Sequence, residues 1–214
     1  MPFSRSPTTS YLLLYLLFHL FYSVFREFEA SILTQENIVS SIEDADYLFE
    51  NKPSRVVAVR DSPKIELAGF TVGPFEKGNN YELKYWVARE LEKAGIVHIQ
   101  EETLSASRLY PILHRERIQP VSSLSSLPED FYPRLRRVLE SLKKASRSSP
   151  DKMREYEYVT HLSKDIISCR LKKIISLAST PGQKSQIIRN LTVEETALYE
   201  ELSRIINEWR SRIL

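Results

Sequence analysis

Apolar residues recur along this chain with two different periods, and the change falls near residue 103. Before it the runs are short and extended. Arg55–Arg60 (RVVAVR) is rich in β-branched residues and bounded by turn residues, Ile65–Val72 reads as a strand, and Tyr81–Leu83 resumes an extended run. The first of these is placed to pair with Ile65–Phe70 across Asp61-Ser62-Pro63. Gly73-Pro74 stops the strand, and Gly78-Asn79-Asn80 supplies the small polar residues that a reversal at positive φ requires. From Lys84 the period becomes 3.6. Trp86, Val87, Leu91 and Ala94 share one helical face and Lys84, Arg89, Glu92 and Lys93 the other, with Trp86 as the largest apolar group of an expected core. Gly95 stands where a left-handed cap belongs, and Ile96–Ile99 is a short apolar strand.

After residue 103 the pattern is helical to the end. Ser105–Arg115 places Leu109, Ile112 and Leu113 in phase behind a Ser at the N-cap, although Pro111 argues for a short or bent helix. Ile118–Leu127 (IQPVSSLSSL) is a Pro/Ser-rich connector that needs no structure of its own. Pro128–Ala145 repeats Phe131, Leu135, Val138, Leu139 and Leu142 at helical spacing. Ser149-Pro150 opens a longer helix through Met153, Tyr156, Val159, Leu162, Ile166, Arg170, Ile174 and Leu177, stopped by Thr180-Pro181-Gly182. That is more length than a domain of this size needs for its own core, so part of it is expected to face another subunit. Thr192-Val193-Glu194-Glu195 is a capping box, followed by Leu198, Leu202, Ile205, Ile206, Trp209 and Ile213 on one stripe.

Upstream, the spacing of Phe28, Ile32, Val39, Ile42 and Leu48 allows one or two helices over 25–51, with Glu43, Asp44 and Asp46 on the polar side and Pro53 as the stop. Tyr11–Phe25 (YLLLYLLFHLFYSVF) is nearly all apolar, yet shorter than the roughly 20 residues a spanning helix needs. It reads as a membrane anchor or signal, as a core or partner-facing helix, or as an extension upstream of the true start.

Composition narrows the function classes. With 42% apolar and 27% charged residues the chain is an ordinary globular one. The net charge of +2 conceals a split: residues 1–103 hold 10 Lys/Arg against 15 Asp/Glu, and residues 104–214 hold 20 against 13. A basic second half, with Arg134, Arg136, Arg137, Lys143, Lys144, Arg170, Lys172 and Lys173, suits nucleic acid or an acidic partner, and equally the solvated faces of helices. A single cysteine, Cys169, excludes an intramolecular disulfide. His19, His98, His114 and His161 stand singly, without metal-ligand spacing. Neither a phosphate-cradling Gly-rich loop nor a nucleophile–base set is legible. No catalytic residue, metal, cofactor or small-molecule substrate is therefore expected.

The run Gly73-Pro74-Phe75-x-x-Gly78, then an extended triplet, then Trp86 opening a helix that ends at Gly95, resembles the small β-rich domain of GINS subunits of the DNA replication fork. HRERIQPVSSLSSLPEDFYPRLRRVL (residues 114–139) resembles the connector and helix of the GINS subtype with the β domain first and the helical domain second. The two stretches together cover about residues 34–214; residues 1–24 have no counterpart. The resemblance implies an α+β chain in three parts: an N-terminal extension over 1–24, outside the native chain if the true start lies downstream, a small mixed β/α domain over 25–103, and an all-α domain over 104–214. It implies a non-catalytic scaffold subunit of archaeal type, paired with a second GINS chain in a 2:2 heterotetramer. Such an assembly links the MCM helicase to a RecJ-like protein and to primase, touches DNA weakly or indirectly, and works in the cytoplasm at the nucleoid. Tyr156, Leu162, Ile166 and Trp209 are the expected interface anchors, against the alternative that each is core. A basic nucleic-acid-binding protein and a protein anchored through 11–25 are the competing readings.

Overall fold

In the computed structural model, which describes residues 38–67, 69–100, 104–180 and 185–214, a helix over residues 38–51 (α1) leads into the strand β1 (Pro53–Ala58). β1 buries Ser54, Val56 and Ala58 in alternation and is the middle of a three-stranded sheet ordered β4-β1-β5. It pairs antiparallel with β4 (Asn80–Lys84), Val56 opposite Tyr81, and with β5 (Val97–Ile99), Val56 opposite Ile99.

The expected pairing of β1 with Ile65–Phe70 does not occur. Ile65–Val72 is two strands rather than one, β2 (Ile65–Leu67) and β3 (Phe70–Val72), which fold back on each other with Leu67 opposite Phe70. Gly69, at φ +91°, supplies the reversal, so the segment satisfies its own ladder and leaves both edges of β1 to β4 and β5.

Between β4 and β5 runs α2 (Tyr85–Lys93), buried through Val87, Ala88 and Leu91. Its end is a Schellman cap: Gly95 sits at φ +67°, its N–H donating to Glu92 and the Ile96 N–H to Leu91. The packed face is turned from the expected one, since Ala94 is exposed and Trp86 only half-buried. Trp86 lies at the border of the core, edge-on to the half-exposed Phe70 ring with centroids 5.7 Å apart. The core proper is Val56, Ala58, Val72, Phe75, Val87, Ala88, Leu91, Ile96 and Val97. α1 is rotated likewise, burying Phe49 and leaving Leu48 exposed; Phe28 and Ile32 lie outside the described residues.

The second core is helical. α3 (Ala106–Ile118) runs through Pro111 and beyond the expected end at Arg115, and buries Leu109 and Leu113. α4 (Phe131–Ala145) buries Phe131 and Leu135. α5 (Pro150–Ser179) has Pro150 in its first turn behind Ser149, whose side chain makes no capping bond. At 30 residues it is about 45 Å long. A short turn of helix, α6 (Ser185–Ile188), precedes α7 (Val193–Ile213), and the Thr192/Glu195 capping box is formed in both directions. Leu109, Leu113, Leu127, Phe131, Leu135, Val159, Leu162 and Ile166 pack together as this core. A small strand-and-helix region followed by a helical bundle makes the chain α+β.

Ion pairs join the two regions along one side. Arg136 of α4 donates twice to Asp46 of α1, from Nε at 3.1 Å and Nη2 at 2.8 Å; Arg137 reaches Glu50 at 2.6 Å, and Lys52 reaches Asp130 at 2.6 Å.

Candidate functional site

The helical bundle is organised around one side chain the apolar pattern of α5 does not account for. Arg170 is fully buried, and its five N–H donors meet five acceptors. Nε donates to Glu195 Oε1 and Nη2 to Glu195 Oε2 at 2.7 Å; Nη1 donates to Glu116 Oε1 at 2.8 Å and to the Ser125 carbonyl at 2.9 Å; Nη2 also reaches the Asn190 carbonyl at 3.3 Å. Lys173 Nζ donates to Glu116 Oε2 at 2.6 Å, the Ser125 hydroxyl donates to Glu116, and the Tyr132 hydroxyl donates to Glu195 at 2.6 Å. Two cations face two carboxylates, so the cluster is neutral and every helix from α3 to α7, α6 excepted, supplies a member.

The titrations follow. Burial disfavours charge on Glu116, but Lys173, Ser125 and Arg170 outweigh it and hold the carboxyl below its usual value. Burial opposes the Arg170 charge as well, and Glu195 and Glu116 more than restore it. Burial, then the Glu195 carboxylate, push the Tyr132 phenol far up, so it remains a donor. Glu195 is also the third residue of the α7 capping box, accepting from the Thr192 N–H at 3.1 Å. One carboxylate thus fixes both where α7 begins and where it lies on α5. Such a cluster adds little net stability over an apolar core; its hydrogen bonds tie α3, α4, α5 and α7 together.

With α5 and α7 held so, each carries a row of exposed apolar residues on its outward side. Ile167, Leu171 and Ile175 follow at i, i+4 and i+8 on α5, each about two-fifths exposed; Leu171 points out beside the inward Arg170. Ile205, Trp209 and Ile213 repeat the spacing on α7, with Trp209 63% exposed. Exposed rows of large apolar groups mark interaction sites in a way single exposed residues do not.

Against this geometry the expected anchors separate. Trp209 is on the exposed row. Leu162 and Ile166 are corrected: they are 4% and 0% exposed, packed inside their own chain's core, because the inward side of α5 is the one that carries the longest apolar run. Tyr156 is half-buried. Of the Gly73-Pro74-Phe75 turn, Phe75 is buried core, the Gly73–Pro74 peptide is cis, and Gly73 has φ +86°. Gly78, at φ +87°, and Gly95 occupy the turn and cap expected of them. The rows Ile167/Leu171/Ile175 were missed, since the sequence reading followed the inward phase of the same helix; a second apolar phase, offset by one residue, was the available signal.

The basic second half is largely consumed by the fold. Of the eight basic residues singled out, Arg134, Arg136, Arg137 and Lys144 are in ion pairs, and Arg170 and Lys173 are buried in the cluster. Among the described residues no group of His, Cys, Asp and Glu is placed to hold a metal, and no helix is long and apolar enough to cross a membrane. Tyr11–Phe25, on which the membrane reading rests, lies outside the described residues.

The comparisons agree with the architecture. No curated protein matches the chain. The model of Sld5, the GINS complex protein helical bundle domain, matches residues 103–214, more than half of the chain and the whole of the region built around Arg170. The chain belongs to the GINS family, whose members are non-catalytic subunits of a hetero-oligomeric complex of DNA replication.

Proposed function

We propose that this protein is a scaffold subunit of the archaeal type, with its small β domain first and its helical domain second, the two dividing near residue 103. It pairs with a second kind of GINS chain in a 2:2 assembly through the outward rows of α5 and α7. In that assembly it links the MCM helicase to a RecJ-like protein and to primase, in the cytoplasm at the nucleoid. The observation that supports this most is the pair of apolar rows, Ile167/Leu171/Ile175 and Ile205/Trp209/Ile213, on two helices joined by the buried Arg170–Glu195 pair. Large apolar side chains desolvated at the centre of an interface carry most of its energy. Of the earlier candidates, Trp209 keeps the anchor role and Tyr156 stands at its margin; Leu162 and Ile166 serve the core.

Co-expression tests the reading. The chain alone self-associates or precipitates, and with the second GINS chain it elutes as a defined hetero-oligomer that retains MCM on an affinity column. A dispersed monomer at micromolar concentration, indifferent to the second chain, overturns it. Direct nucleic-acid binding is the weaker reading, because six of the eight basic residues that suggested it are already paired or buried.

A further inference from the structure

The row Ile167/Leu171/Ile175 of α5 has unlike borders. On one side lies the core of its own chain, where Ser163, Arg170 and Ile174 are buried. On the other, Lys164, Ser168 and Lys172 repeat the i, i+4, i+8 spacing, each three residues before a member of the row and so its neighbour on the helix surface. Both lysines are exposed, and among the described residues neither ammonium meets a carboxylate or any other partner. Asp165 is the single acid of α5 between Thr160 and Ser176, and it is taken by Arg117 at 2.6 Å and His161 at 3.7 Å. The charges beside the α7 row are matched within their own helix, Arg204 by Glu201 and Glu208, and Arg212 by Glu208. Two uncompensated positive charges therefore border the α5 row, about 12 Å apart along the helix axis.

We propose, resting on the scaffold reading above, that this row receives an amphipathic helix of the second GINS chain whose apolar stripe is flanked by two carboxylates about two turns apart, set to meet Lys164 and Lys172. A helix laid on the row is confined between the edge of the core and the lysines, so its flank meets them. Opposite charge at that flank steers the encounter, and like charge turns other partners away. A second copy of this chain is among those turned away: a two-fold pairing on this face brings the same two lysines from each copy into one patch. A nucleic-acid strand is served less well, because the row beside the lysines is aliphatic and offers no ring for a base to stack on.

Sedimentation velocity tests this, following the fluorescently labelled second GINS chain as the full chain is added. It is run at about 0.1 M and about 1 M salt, where charges are screened beyond about 10 Å and about 3 Å. Wild-type binding weakens at the higher salt. At the lower salt Lys164→Glu with Lys172→Glu weakens it by about tenfold or more, and Lys164→Gln with Lys172→Gln weakens it about threefold and flattens the salt dependence. Lys143→Glu with Lys144→Glu, an equal change of charge on exposed positions at the end of α4, leaves it unchanged. Salt-insensitive binding of wild type, undiminished binding of the Lys164/Lys172 glutamate variant, equal loss in the α4 variant, or displacement of the second chain by equimolar oligo-dT each overturns the proposal. No complex with wild type overturns the scaffold reading along with it, whereas a complex lost in Leu171→Ser yet kept by the Lys164/Lys172 variant overturns this proposal alone.

Discussion

Replacing Arg170 by Ala removes five donated hydrogen bonds and one of the two cations from a buried cluster that is neutral only with both. Glu116 keeps Lys173 and Ser125, and Glu195 keeps Tyr132 and the Thr192 N–H, so neither carboxylate is stripped bare. The site nonetheless carries an uncompensated negative charge, and the Ser125 and Asn190 carbonyls lose their donor. Breaking a buried pair from one side costs about 3–5 kcal/mol. Against a total stability of about 5–15 kcal/mol, that is a third or more for most domains. With a urea m-value of about 2 kcal/mol/M, the midpoint falls by roughly 2 M. Circular dichroism at the helix band during urea titration reads it. Arg170→Met and Lys173→Met together with Glu116→Gln and Glu195→Gln remove all four charges, and recover more than half of the loss. A loss below about 1 kcal/mol for Arg170→Ala, a value typical of surface positions, would refute the reasoning.

Three further outcomes are expected. Glu116 is held below its usual carboxylate value, so its contribution is complete above about pH 4.5 and is lost as the pH falls through the lower folded value; thermal midpoints of wild type and Glu116→Gln therefore differ at pH 7 and converge on acidification, whereas midpoints that coincide at every pH, or a gap that does not narrow with acid, contradict this. Gly73→Ala places a Cβ 3.2 Å from the Phe75 ring and 3.3 Å from the Pro63 carbonyl at φ +86°, and destabilises the small region by about 1–3 kcal/mol in the same titration; a neutral result contradicts the turn geometry. Trp86→Ala costs about 2–3 kcal/mol, less than the 3–5 of a fully enclosed ring, because the ring is only half-buried against Phe70.

Elements with a strong local signal were readable from the chain. The Thr192/Glu195 box, Pro150 behind Ser149, and the Gly95 cap each act within a few residues of themselves, so sequence and structure agree on them. Pairing was not readable: β1 could as well have met Ile65–Phe70, and only the reversal at Gly69 decides otherwise. Helix phase was readable to about one residue, which is enough to confuse Leu48 with Phe49 on α1 and to miss the outer row of α5. The ionic cluster was the least legible feature. Arg170 already stood in the inward phase of α5, but Glu116, Lys173 and Glu195 are spread over three helices with it, and no one helix shows which charges meet. The connector 118–127 hides the same way, since its role lies in the Ser125 and Leu124 carbonyls, which take Arg170 and Asn190, and a sequence does not show carbonyls being used.

Sedimentation velocity of the chain mixed with the second GINS chain tests the account most directly, comparing wild type with Leu171→Glu and Trp209→Glu. Both substitutions sit on exposed positions and leave the isolated fold intact. The account predicts a 2:2 species for wild type and its loss, by at least about 2 kcal/mol of association free energy, in each variant. An undiminished 2:2 species in both variants contradicts it.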